Sequence, residues 1–249
     1  MKTFFIFLII SLPIYSQQSK SNILIAKYSL YPYSSTFFNH DSNTPAADIA
    51  FDIALRRTKE FKYTLISNFQ SNLSVFYLDT IITTPIKGKE EFWIEPEDVI
   101  KYAYTKDNVF KKNEVIFNIP FFSQSQENDM EFNWTITDET KEIAGYRCSK
   151  ALIEIKNNKI IAWFTTEIPI NYGPMNLRGL PGFILQAEDF FTTISIESVT
   201  FSDNKELLSN KINQLSSQYI SESQKNEIKE SIFLIKKSEL IQQLKSMMN

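Results

Sequence analysis

The sequence predicts an α+β fold: a curved antiparallel β-sheet of about eight strands, with one helix near the N-terminus and amphipathic helices at the C-terminus, packed across one face or end. Three observations carry this expectation. From Asn22 to Phe201 the chain reads as short runs rich in Ile, Val, Thr and aromatic residues, bounded by polar turn residues. The links between most of these runs are too short for parallel crossovers, which need about a dozen residues or more. From Lys205 the apolar spacing changes from two to three and four, the period of a helix surface.

Taken in order, NILIAKYSLY (Asn22 to Tyr31) is a first extended strand. In SNTPAADIAFDIALRRTKEF, Thr44 offers an N-cap and Pro45 a first helical residue, while Ile49 and Ile53 share a side with Ala46, Ala50 and Ala54. The runs Tyr63 to Phe69 and Leu73 to Ile82 form a hairpin around Gln70, Ser71 and Asn72. NEVIFNI, EFNWTIT, YRCSKALIEI, KIIAWFTTEI, GFILQAED and TTISIESVTF supply further strands. Asn157 and Asn158 mark a tight turn, since asparagine tolerates positive φ. After Lys205, Ile228, Ile232, Ile235, Ile241, Leu244 and Met248 define an apolar helical stripe that caps the sheet.

Composition bounds the function classes. The 249 residues are 43% apolar and 14% aromatic, enough for a sizeable core. A net charge of −3 and a pI near 5.4 argue against nucleic acid or anionic membrane as a partner. The N-terminus, MKTFFIFLIISLPIYSQQ, joins Lys2 to an apolar run from Phe4 to Ile10 and small residues near Ser16. This is the grammar of a secretory signal peptide over 1–16, leaving one domain over 17–249 with a helical segment at 205–248. No cysteine stands at the cleavage point, so no lipid anchor is expected there, and no later run has the length of a transmembrane segment. Cys148 is the sole cysteine, which excludes an internal disulfide, and its strand context reads as a buried small hydrophobe.

In a chain with five glycines, RGLPGFIL spends two within four residues. Pro181 followed by Gly182 is what a type II turn demands, and Gly179 adds freedom before it. Four motifs run in order from Glu131 to Asp189: W-x-I; K-x-I-x-G-Y-x-C-x-K-A; A-W-F-x-x-E-I-P; and G-P-x-x-x-x-G-L-P-G. This window resembles the GLPGLI family of exported Bacteroidota proteins, with Phe183 where the namesake has leucine. The resemblance implies an exported protein of a Gram-negative envelope, in the periplasm or at the cell surface. It brings no catalytic residues.

A nucleophilic triad would need His40, the sole histidine, as its base, and FFNHDSN around it carries no nucleophile signature; one histidine and one cysteine cannot make a structural zinc site. DxDxDG, GxGxxG and P-loop patterns are absent, so no cofactor and no metal are expected. The expected function is non-enzymatic binding of an apolar or peptide ligand, or service as an accessory to an envelope transport or processing system. The candidate patch is Trp163, Tyr172, Met175, Leu180 and Phe183, around the motif turn Gly179, Leu180, Pro181 and Gly182. One alternative is a hydrolase using two of Glu167, Glu188 and Asp189, with Asp138 a further acid of the same region. Another is a structural protein that pairs with an envelope partner through a sheet edge or the C-terminal helix.

Overall fold

A computed structural model describes residues 22–32, 42–68, 70–71, 73–84, 99–116, 119–126, 132–155, 158–189, 192–223 and 227–248. Residues 1–16, read as a signal peptide, and His40 lie outside the described residues, as does Asn157 of the expected tight turn.

The fold is β-rich α+β. Twelve strands among the described residues form one sheet: β1 (Ile23–Pro32), β2 (Lys59–Asn68), β3 (Leu73–Thr83), β4 (Val99–Lys106), β5 (Val109–Ile116), β6 (Ile119–Gln126), β7 (Thr135–Ile143), β8 (Tyr146–Ile155), β9 (Asn158–Thr165), β10 (Phe183–Glu188), β11 (Thr192–Ser202) and β12 (Glu227–Lys229). The strand order is β12-β6-β5-β4-β3-β2-β1-β11-β10-β9-β8-β7. Two antiparallel meanders therefore flank β1, which pairs with β2 on one side and β11 on the other. The sheet exceeds the expected eight strands, because β4, β6 and β12 stand beside the anticipated runs. It also departs from a pure meander at β12, which pairs with β6 in parallel.

Three helices accompany it: α1 (Ala46–Arg56), α2 (Lys205–Glu222) and α3 (Glu230–Met248). Pro45 is the N-cap of α1 rather than its first helical residue, and no side chain caps that end. The α1 stripe is not buried as expected: Ile53 is exposed, and Leu55 turns inward. At α2, Asn204 Oδ1 accepts from the backbone N–H groups of Glu206 and Leu207, satisfying two of the donors a helix start leaves open. Its Leu208, Ile212, Leu215 and Tyr219 follow the helical period and cover Ile66, Val75 and Phe122 on one face of the sheet.

The other face holds the main core. Tyr28, Phe61, Tyr63, Phe76, Phe110 and Phe183 meet there, and the Tyr63 and Phe76 rings stack at 4.6 Å. Helix α3 packs against β6 near one end of the sheet and against β8 and β9 near the other, bridging strands that are remote in the sheet order. Its buried stripe is not the predicted isoleucine row. Ile232 and Ile235 are exposed, whereas Glu230, Phe233 and Ser238 are buried, with Lys237 beside them. These residues keep the same helical spacing, but three of the four are polar. Their burial is stable because each polar head finds a partner on the strands.

The chain between β9 and β10 turns inward. Ile168, Ile170, Tyr172, Leu177 and Leu180 are all buried in the main core, so this segment fills the space beneath the sheet. The Trp134 indole N–H donates to the Arg178 carbonyl at 2.7 Å, and the Phe183 N–H donates to the Ile168 carbonyl at 3.1 Å. The type II turn does not form. Gly179, not Gly182, has the positive φ of +88°. Gly182 is required for a different reason: a Cβ there would stand 2.1 Å from the Thr165 carbonyl oxygen. Cys148 is fully buried, and burial pushes its thiol up to about 11, which leaves it a poor nucleophile at neutral pH.

Candidate functional site

The five residues of the expected patch do not assemble at a surface. Leu180 and Phe183 are 1% and 0% exposed, and Tyr172 is buried with them. Trp163 lies under the ammonium groups of Lys141 and Lys150, at 4.1 and 5.9 Å, where aromatic faces attract cations. Met175 and Tyr172 border separate cavities, and Met175 has its backbone in the left-handed region at φ 55°, ψ 21°. The apolar residues of this segment were needed inside the sheet, and the hydrophobic effect placed them there.

The carboxylates named from the sequence do not face one another either. Glu167 follows β9 and accepts from the Arg147 N–H at 3.0 Å. Glu188 pairs with Ile161, at the other end of the β9–β10 ladder from Phe183 and Thr165. Asp189 accepts from the Thr192 N–H and hydroxyl at 2.7 and 3.1 Å, closing the turn into β11. Asp138 lies on edge strand β7. Glu60 and Glu197 converge from β2 and β11, but Lys62 lies between them at 2.6 and 2.5 Å. Burial raises both of these carboxyls, and hydrogen bonds from Lys62 and Ser29 outweigh it, so both are held below their ordinary range.

Reading the structure outward from β5 locates a different site. Lys112 and Glu114, two residues apart, project from the same face of the strand. On α3, Glu230 and Lys237 are seven apart and share a helix face. The two pairs interlock. Lys112 Nζ lies 2.9 Å from Glu114 and 2.6 Å from Glu230, and Lys237 Nζ lies 2.7 Å from Glu114. Ser123 on β6 donates to the second oxygen of Glu230, and Lys112 sits 4.0 Å from the centre of the Phe233 ring. Lys112, Glu114 and Glu230 are each no more than 3% exposed.

Burial would raise the Glu114 carboxyl, but Lys112 and Lys237 more than reverse this and hold it down at about 2. A carboxyl depressed in the folded state contributes stability above its ordinary pKa near 4.5 and loses it as pH falls through 2. The contribution is on the order of 3 kcal/mol. Urea titrations from pH 7 to pH 2.5 should therefore show a shallower acid loss for Glu114→Gln than for the parent below pH 4.5. Parallel curves would mean that the lysines do not hold this carboxylate ionised.

Beside this cluster opens a cleft of about 920 Å³. Its walls come from the β4–β5 hairpin (Tyr104, Lys111), the end of β8 (Ile153, Ile155) and helix α3 (Leu234, Ile235). Its floor includes Gln124, Ser125 and Gln126 of β6. Strand β12 covers the outer edge of β6 only from Phe122 to Gln124, so Ser125 and Gln126 have no outer strand partner among the described residues. The Ser125 hydroxyl is buried and has no hydrogen-bond partner among the described residues. Behind the cleft lies a chamber of about 60 Å³ that shares Phe132, Ile155, Glu230 and Leu234 with it and is bordered by the ion cluster. Among the described residues no group of three acidic, His or Cys side chains is placed to hold a metal. No described helix is long and apolar enough to cross a membrane.

The architecture is thus that of a β-rich α+β domain with a ligand-sized cleft between sheet and terminal helix. By sequence, the chain belongs to the family described as N-glycanase peptide, N-terminal domain, whose model matches residues 79–215, more than half its length. That span contains the whole window from Glu131 to Asp189 and most of the cleft's sheet wall. No curated protein matches the chain. Among solved structures, two crystal forms of PNGF-II, in space groups P21 and C2, are each 16% identical, with TM-scores of 0.45 and 0.41. They cover 88% and 86% of this chain and 34% and 32% of their own, so the chain spans about a third of PNGF-II. A conserved protein from Thermus thermophilus is 5% identical, with a TM-score of 0.37, covering 84% of this chain and 91% of that one.

Proposed function

We propose that this is an exported envelope protein that binds a peptide in the cleft between β6 and α3, as a non-catalytic module accessory to a processing system. The observation that carries the reading is the end of β6. A two-residue stretch of unpaired strand edge, with a buried and unpartnered serine hydroxyl, faces a cleft of peptide dimensions. An extended chain added in line with β12 would satisfy those groups, and Tyr104, Ile155 and Leu234 offer apolar contact to its side chains. Export rests on the signal-peptide pattern of 1–16 and on the GLPGLI resemblance, which implies the periplasm or the cell surface. The family description, an N-terminal domain of an N-glycanase, suits a module that works beside an enzyme. The curved, helix-backed form of the sheet belongs to the same reading, since curling lets α3 form the far wall of the cleft.

The test is capture of randomised 12-residue peptides on an array by the mature chain and by Ile235→Glu. Ile235 lines the cleft yet is 39% exposed, so the substitution leaves the core intact. Capture by the variant should fall at least about tenfold, the equivalent of 1.4 kcal/mol. Equal capture by the two proteins, or none by either, removes the reading.

A further inference from the structure

Resting on the peptide-cleft reading for its purpose, we infer that α3 is a hinged gate: it swings off the sheet as a unit and so opens the cleft whose far wall it forms. Three features of its attachment carry this. First, the contact is thin in apolar area. Where α2 covers the sheet with Leu208, Ile212, Leu215 and Tyr219, α3 turns Glu230, Phe233 and Ser238 inward, with Lys237 beside them. Among the described side chains of α3, Phe233 is the one large apolar group that is buried, while Ile232 and Ile235 face outward. Hydrogen bonds and ion pairs given up on opening are replaced by bonds to water, so their net contribution is far below their gross strength.

Second, the buried charges divide evenly between the two elements. On β5, Lys112 and Glu114 already pair with each other at 2.9 Å; on α3, Glu230 and Lys237 carry one charge of each sign. Parting strand and helix therefore leaves no net charge on either side within this group of four. Deleting one member strands a buried charge, whereas lifting the whole helix does not. Third, the two ends of the contact are held differently. At its start α3 continues directly from β12, which is paired with β6, and Ser123 of β6 donates to Glu230; this end is the hinge. At Ser238 the hold is a clasp. Asn158 Nδ2 donates to the Ser238 carbonyl and hydroxyl oxygens at 3.1 and 2.5 Å, and that hydroxyl donates to the Ile155 carbonyl at 2.8 Å. Ile155 lines the cleft opposite Leu234 and Ile235 of the helix, so release of the clasp separates the two walls.

The test is hydrogen–deuterium exchange of the mature chain, read by mass spectrometry over 205–222 and 230–248. A helix of this length freed from its sheet is marginal in water, so each opening exposes its amides. Residues 230–248 should exchange at least about a hundredfold faster than 205–222, as a unit that opens below the global free energy. Equal rates for the two helices overturn the inference. Ser238→Ala removes the hydroxyl of the clasp while inserting the better helix former. It should speed exchange over 230–248 by a further factor of about ten and leave 205–222 unchanged. No change in 230–248, or an equal change in both helices, also overturns the inference. Peptides captured on the array should slow exchange over 230–248, because a filled cleft holds its wall in place. If α3 opens alone but bound peptide leaves its exchange unchanged, the gate fails and the cleft reading stands. If no peptide is captured, the peptide reading fails, and the two exchange comparisons alone decide the hinge.

Discussion

Lys112→Met is expected to destabilise the protein by about 3–5 kcal/mol, because it removes the hub of a buried charge cluster while leaving its anions in place. Among the described residues, Glu230 would keep only the Ser123 hydroxyl, and Glu114 only Lys237. In a chain of this length, that loss corresponds to a fall in melting temperature of roughly 10 °C. The double variant Lys112→Met/Glu230→Gln should recover a large part of the loss, since it deletes one stranded charge together with its partner. Urea unfolding of the parent, both single variants and the double variant measures the coupling directly. A loss below about 1 kcal/mol for Lys112→Met would place the cluster in solvent-like surroundings and contradict its burial.

Gly182→Ala should cost at least about 3 kcal/mol, whereas Gly179→Ala should cost about 1–2. At Gly182 the added methyl meets the Thr165 carbonyl oxygen at 2.1 Å and its carbon at 2.6 Å. These are backbone atoms of the neighbouring strand end, so relief requires that β9 and β10 separate. At Gly179 the nearest atoms belong to the Trp134 ring, at 3.8 Å, and the penalty is only the positive φ. A type II turn predicts the opposite order, with Gly182 as the conformationally demanding residue. Denaturant midpoints for the two variants decide between the accounts: a larger loss at Gly179 would restore the turn.

The two meanders were legible because their strands are short, rich in β-formers and separated by polar turns. Strand β4 escaped although the signal was present: Asp107 and Asn108, at φ 53° and 61°, form a tight link between VIKYAYTK and VFKKNEVI. The candidate site was much less legible. Its organising residues, Lys112, Glu114, Glu230 and Lys237, are charged, and charge interleaved along a strand or helix reads as a solvated face. What marks them is position. By strand alternation, Lys112 and Glu114 share a face with Phe110 and Ile116, both buried. Glu230, Phe233, Lys237 and Ser238 keep the helical period that the isoleucines of α3 were expected to fill. The GLPG segment misled for the converse reason: apolar residues in an irregular stretch resemble a ligand patch, but here the sheet needed filling and the loop supplied it.

The place of β1 between the two meanders sets the order in which the protein can be made. Its hydrogen-bonded neighbours are β2, close by in sequence, and β11, where the Thr200 hydroxyl reaches the Ile25 carbonyl across 175 residues. Pairing of β2 through β6 joins strands consecutive in sequence and can proceed early, but the β1–β11 seam waits until four-fifths of the chain has been synthesised. Closing so distant a contact is slow, because the loop entropy is lost before the ladder compensates it. During that interval the free edge of β1, apolar and unpaired, is the part of the nascent chain most exposed to pairing with another molecule. Delivery across a membrane in an unfolded state would bring both halves to one compartment before the seam forms.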